Sequence, residues 1–257
     1  MINDTTIEIA DKLQEARDRF EPVPFLRGHY TLSETEAYAV QDELIRRAAG
    51  DSITGYKVSM TSAETQAIAD TDEPAYGTLL RSHVRESGAR IQLSSLFSPL
   101  IEPEILFILT DDLTPGADTA EILAKSRLSA GIEIPDARYK DWFPNFSLAD
   151  LISDNTATGL VVASSPVEPP SLDEISRVKM DLFLDGKKIG TGHASAVLGN
   201  PVSAVKWLSA KLAGKNRTLK KGMIVSSGTF VSPLIAKEGH WEARFQSIGN
   251  VSVTIER

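Results

Sequence analysis

IEPEILFIL, Ile101–Leu109, carries two carboxylates, Glu102 and Glu104, inside a run that is otherwise apolar and free of glycine. The run reads as a buried-type strand. Side chains alternate across a strand, so positions i and i+2 share a face and the two acids stand side by side. A wet edge strand explains them only if polar residues continue at 106 and 108, and those positions are Leu106 and Ile108. The alternative is a hard-cation site. Two carboxylates roughly 7 Å apart along a strand repel unless a cation lies between them. Mg²⁺ and Mn²⁺ favour oxygen ligands, and Mg²⁺ keeps positions open for water or substrate.

Two further segments extend this reading. AGIEIPDA places Glu133 between Ile132 and Ile134, a third acid in a short apolar strand and a candidate third ligand. TGYKVSM places Lys57 between Tyr56 and Val58. This is either a surface lysine on an edge strand or an ammonium aimed at the metal site, where burial and neighbours tune it for proton transfer. His29, His83, His193 and His240 form no i, i+4 pair and read as surface or structural histidines. No Walker loop, GxSxG elbow or dinucleotide fingerprint is present.

Around these strands the chain alternates between helical and extended periods. Ile9, Leu13, Ala16 and Phe20 recur at helical spacing. Ser33 and Glu36 form a capping box before a second helix striped by Ala37, Val40, Leu44 and Ala48, with Gly50 suited to its end. A short helix follows around Ser62–Ala69, then a turn-rich DEPAYG. Asp118 or Thr119 caps a helix expected to reach about Leu128, and Ser147–Ser153 reads as helical. GLVVAS reads as a strand, and VKMDLFLDGKKIGTGHAS as a hairpin turning at Asp185-Gly186. Asn200-Pro201 opens a helix that Gly214 ends, and two or three strands close the chain. Many strands with few interleaved helices predict a mixed α+β fold.

The 257 residues suit one large domain, or one with a small appendage. A net charge of −8 argues against nucleic-acid binding. With no cysteine, disulfides and thiolate metal sites are excluded, and a cytoplasmic location fits. The N-terminal stretch has no signal-peptide h-region, and no run approaches a membrane span.

Taken in order, GYKVSMTS, DEPAYGTL, IEPEILFIL, GIEIPDARYKDW, SDNTATG and GNPVSAVKWLSAKL resemble the 2-keto-4-pentenoate hydratase and 4-oxalocrotonate decarboxylase family, part of the fumarylacetoacetate hydrolase superfamily. The resemblance runs from about Gly55 to the C-terminus. It implies a mixed β-roll core of the superfamily's C-terminal type with peripheral helices, residues 54–257, and an N-terminal helical segment, 1–53, packed on it. It implies Mg²⁺ or Mn²⁺ held by Glu102, Glu104 and Glu133, with Lys57 and Asp154 as catalytic residues. Ser62, Tyr76, Asn155, Gly228 and Thr229 would bind substrate. Relatives are commonly homo-oligomers, often pentamer-based, and some associate with a sister enzyme of their pathway.

The expected activity is that of a metal-dependent lyase hydrating a small 2-hydroxy-2,4-dienoate or 2-oxo-4-enoate of aromatic catabolism. The alternative is decarboxylation of 4-oxalocrotonate or a related 2-oxo diacid, and a non-catalytic partner subunit is a third reading. Two departures bear on the choice. DEPAYG has Ala75 where hydratases often carry an aspartate, and Ser59 replaces the usual glycine of G-Y-K-x-G.

Overall fold

The computed structural model describes residues 3–48 and 50–257. Among the described residues, thirteen strands form two sheets. In chain order they are β1 (Ile53–Ser59), β2 (Ala75–Leu80), β3 (Val84–Glu86), β4 (Ala89–Gln92), β5 (Leu100–Leu109), β6 (Ser126–Ile134), β7 (Leu160–Ala163), β8 (Lys179–Leu184), β9 (Lys187–His193), β10 (Ile224–Thr229), β11 (Leu234–Ile235), β12 (Gly239–Phe245) and β13 (Gly249–Glu256). The helices are α1 (Asp4–Arg19), α2 (Glu34–Arg47), α3 (Ala63–Ile68), α4 (Thr119–Ala124), α5 (Trp142–Asn145), α6 (Leu148–Ser153), α7 (Leu172–Ser176) and α8 (Pro201–Ala213).

The larger sheet runs β2-β1-β10-β5-β6-β7-β3, with β11 also on β5, and the smaller runs β4-β13-β12-β8-β9. Strands β12 and β13 of the smaller sheet pack on β6 of the larger. The long strand β5 is buried on both faces. Ile101, Ile105, Phe107 and Leu109 enter the main core, while Leu106 joins a second, small core with Leu79 of β2 and Val161 of β7. Strands β2 and β7 lie far apart in the sheet order, so their meeting shows that the sheet curls on itself. Glu102 and Glu104 share the face of Leu106 and therefore stand inside the curl.

The expected helical pair is present, and Ser33 and Glu36 close the capping box. Helix α1 packs on α2, and α2 packs on α6. The Asp185-Gly186 turn takes positive φ at both residues, as a two-residue hairpin requires. One expectation is corrected: the helix from Asp118 stops at Ala124, and Ser126 starts β6. The antiparallel ladder from Ser126↔Leu109 to Glu133↔Glu102 takes over residues whose spacing alone also suits a helix. Strands β3 and β4 were not anticipated from the sequence; each pairs with a distant strand, β7 and β13.

Gly77 on β2 has no room for a side chain, because a Cβ there would collide with the Asn155 carbonyl and Thr158 Oγ1. Gly77→Ala should therefore destabilise the protein by about 1–3 kcal/mol, the range for overpacking. A shifted urea midpoint at unchanged slope would show it; a wild-type midpoint would refute the close approach.

Candidate metal centre and its cleft

Register assembles the acids. Glu102 lies directly opposite Glu133 across β5 and β6, so both side chains leave one face. Glu104 lies two residues on, opposite Gly131 and beside the β10 bulge that pairs Thr229 with it. At that bulge Gly228 has φ +117, and its N–H donates to Glu104 Oε2 at 2.8 Å, while Ser226 Oγ donates to the same oxygen at 2.5 Å. Added side-chain atoms at 228 would also strike Thr61, so both backbone angle and space call for glycine.

One oxygen from each of Glu102, Glu104 and Glu133 lies within 4.8 Å of the others. Glu104 and Glu133 are 0% and 1% exposed, and Lys57 is 2% exposed. Lys57 Nζ stands 3.1 Å from Glu133 Oε1, inside ion-pair distance but without hydrogen-bond alignment. Glu104 Oε1 and both Glu133 oxygens make no hydrogen bond among the described residues. Buried carboxylate oxygens without donors are costly, and three acids facing one ammonium leave negative charge uncompensated. An all-oxygen donor set with orphaned atoms converging on one point fits a hard divalent cation.

The same crowding governs protonation. Burial first, then Glu133, pushes the Glu102 carboxyl up to about 8, with Lys57 opposing. Burial, then Glu133 and Glu102, holds Glu104 well above the ordinary carboxylate range. A folded-state value above the unfolded one means the folded chain retains a proton the unfolded chain gives up. The stability linked to it is complete below about 4.5 and is lost as pH rises through about 8. In chelator, the melting temperature should fall from pH 5 to 8.5, and added Mg²⁺ should restore most at the alkaline end. A flat profile in chelator would contradict the buried cluster.

Of the three acids, Glu102 opens onto a cleft. Its lining includes Lys57, Glu102, Gly228 and Thr229, all anticipated from the sequence, with Ser59, Thr61, Thr156, Trp142, Phe143 and Phe146. Ser59 shares the Lys57 face by i+2 alternation and was legible. Thr61 was not, because Met60 has φ 56 and breaks the alternation. Ser226 carried no signal, since its contact depends on strand pairing.

Four anticipated residues do not reach the cleft. Asp154 is fully buried and accepts from the Arg138 N–H at 2.7 Å and from its guanidinium. Ser62 caps α3 by accepting from Thr65 N–H at 3.2 Å. Tyr76 stacks on Tyr38 with ring centroids 4.6 Å apart. Asn155 accepts from Thr78 N–H and donates to Thr78 carbonyl, at 2.8 and 2.9 Å. These contacts brace a wall. Asn155, Thr156 and Ala157 have φ of 51, 55 and 51, left-handed values that cost non-glycine residues roughly 1–2 kcal/mol each. Gln41 of α2 donates to the Tyr76 carbonyl at 2.9 Å, and Thr156 Oγ1 donates to it at 2.6 Å. Helix α2 thereby helps hold Thr156 and Ala157 at the cleft.

No protein-family model matches the chain. It is 31% identical to the 2-keto-4-pentenoate hydratase of Burkholderia vietnamiensis, over 99% of each chain. It is 30% identical to the 2-oxo-hept-4-ene-1,7-dioate hydratase of Escherichia coli, over 95% of each. Among solved structures, the 4-oxalocrotonate decarboxylase of Pseudomonas putida G7, complexed with magnesium and adipate, superposes with a TM-score of 0.90 at 23% identity. That match covers 100% of this chain and 99% of the other.

Proposed function

Since the chain belongs to the 2-keto-4-pentenoate hydratase and 4-oxalocrotonate decarboxylase family of the fumarylacetoacetate hydrolase superfamily, we propose that it is a divalent-metal-dependent lyase that hydrates a small 2-hydroxy-2,4-dienoate or its 2-oxo-4-enoate form. The observation that carries this reading is the convergence of Glu102, Glu104 and Glu133 beside a buried lysine, with Glu102 and that lysine lining a cleft. Glu102, Glu104 and Glu133 would hold Mg²⁺ or Mn²⁺, which supplies Lewis acidity toward an oxygen-bearing substrate.

The chain's own groups do the remaining work. Lys57 is placed to stabilise enolate charge and to move the proton during ketonisation, with Glu133 holding its ammonium in position. Ketonisation leaves an electron-poor alkene to which water adds. Gly228 and Thr229 line the cleft where they can meet the substrate carboxylate. Asp154, Ser62, Tyr76 and Asn155 act as positioning residues behind the lining, supported by the contacts above. The same reading takes the curled sheet as a β-roll with residues 1–53 packed on 54–257, in a cytoplasmic homo-oligomer.

A second reading, decarboxylation of a 2-oxo diacid, is favoured by Ala75. It pairs with Ser59 and so faces the Lys57 side of the sheet, where it provides no acid or base. Supplying 2-hydroxypenta-2,4-dienoate and 2-oxohex-3-enedioate separately with Mg²⁺ separates the two. Loss of dienol absorbance from the first is expected; CO₂ from the second, with no turnover of the first, would overturn the hydratase assignment.

A further inference from the structure

The donors around the cleft are unevenly committed. Trp142 Nε1 donates to the Ser98 carbonyl at 2.8 Å, Thr65 Oγ1 to the Ser62 carbonyl at 3.1 Å, and Thr156 Oγ1 to the Tyr76 carbonyl at 2.6 Å. Thr229 Oγ1 donates to the Val231 carbonyl at 2.9 Å. The side-chain donors left among the described lining residues are Lys57, Ser59 and Thr61. All three belong to the acid end: Ser59 shares the Lys57 face, and Thr61 lies against Gly228, which holds Glu104. The helical side of the cleft is made by Ile68 of α3, by Trp142, Phe143 and Phe146, and by Leu151 of α6. The three aromatic rings pack on one another with centroids 5.6–6.4 Å apart. Lys57 and Glu102 are the charged residues of the lining, and neither lies on the helical side.

We propose that the cleft selects a 2-oxo or 2-hydroxydienoic monocarboxylate whose far end is an uncharged apolar substituent, and discriminates against dicarboxylates, with Ile68 and the Trp142–Phe143–Phe146 wall as the determinants. The proposal rests on the assignment of the acid end as the metal and 2-oxo-acid site. A single carboxylate finds cation and hydroxyl donors at the acid end. A second carboxylate, carried to the other end, meets rings and aliphatic carbon with no free side-chain donor, and an unpaired charge is strongly disfavoured there. An alkyl or aryl tail in the same place gains burial instead.

Binding of saturated 2-oxo acids to wild-type protein in excess Mg²⁺, followed by calorimetry and by tryptophan fluorescence, tests this without turnover. From 2-oxobutanoate through 2-oxohexanoate, affinity should rise about fourfold per methylene, equivalent to ~0.8 kcal/mol. 2-Oxohexanedioate should bind at least about tenfold more weakly than 2-oxohexanoate. Ile68→Lys, and separately Phe143→Lys, should narrow that gap by placing an ammonium on the apolar side. Equal binding of mono- and diacid by the wild type, or a gap unchanged in both variants, overturns the proposal while leaving the metal site intact. Failure of every 2-oxo acid to bind with Mg²⁺ overturns the underlying site assignment, and the proposal with it.

Discussion

Glu104→Gln should abolish tight divalent-metal binding and, at pH 8 in chelator, raise the melting temperature. The two effects have opposite signs because the carboxylate serves the bound ion at the expense of the metal-free fold. Glu104 is fully buried, and one of its oxygens has no hydrogen-bond partner among the described residues. Neighbouring Glu133 and Glu102 add like charge. Glutamine has the same shape. Its carbonyl can still accept from Ser226 Oγ and Gly228 N–H, which now meet Oε2 at 2.5 and 2.8 Å. Its amide can donate to a neighbouring carboxylate, so the metal-free variant should gain about 1–3 kcal/mol, the scale of an unsatisfied buried polar group. Removing a ligand should weaken the metal by more than the 10–100-fold typical of changes behind the ligands, so at least about 100-fold. Melting curves with chelator and with Mg²⁺, beside calorimetric titration, read both signs. An undiminished Mg²⁺-induced stabilisation would remove Glu104 from the ligand set.

Lys57→Met should leave metal binding intact or tighter and lower turnover by about 10²–10⁴, the range for a general acid or base. Methionine keeps the length of the stem and loses the ammonium, which stands 3.1 Å from Glu133. Breaking a buried pair costs about 3–5 kcal/mol when the remaining charge cannot adapt. Here the cluster can adapt by keeping a proton at lower pH, so the destabilisation should grow from pH 6 to pH 8. Bound cation should offset it, since removing a neighbouring positive charge favours a second one. Loss of turnover beside undiminished metal affinity separates a proton-handling lysine from one that merely shapes the site. Wild-type turnover in Lys57→Met would exclude it from the chemistry.

Much of the site was legible before the fold. Strand alternation alone placed Glu102 and Glu104 on one face, and the apolar Leu106 and Ile108 argued that this face was not simply wet. Glu133 stood out as an acid inside an apolar strand, and the Ser33–Glu36 and Asn200-Pro201 caps marked helix starts that the structure places where expected. Local chemistry suffices for such features, because a cap or a strand face is set by residues a few positions apart. It failed at Ser126–Leu128, where the β5 ladder claims residues that could also extend a helix.

By itself the sequence determined the donor types: three carboxylates and one lysine in extended apolar segments, with no cysteine or histidine arrangement to compete. Only the tertiary structure decided which residues meet. Glu102 faces Glu133 across 31 positions of chain because β5 and β6 pair in that register. Asp154 and Asn155 stand behind the wall because Arg138 and Thr78 take their hydrogen bonds. The division of the cleft into a donor-rich acid end and an apolar helical side arises from carbonyls of Ser98, Ser62, Tyr76 and Val231, which occupy the remaining side-chain donors of the lining. Such contacts join backbone atoms brought together by sheet curling and helix docking, and a backbone carbonyl has no identity in a sequence, so only the folded chain reveals them.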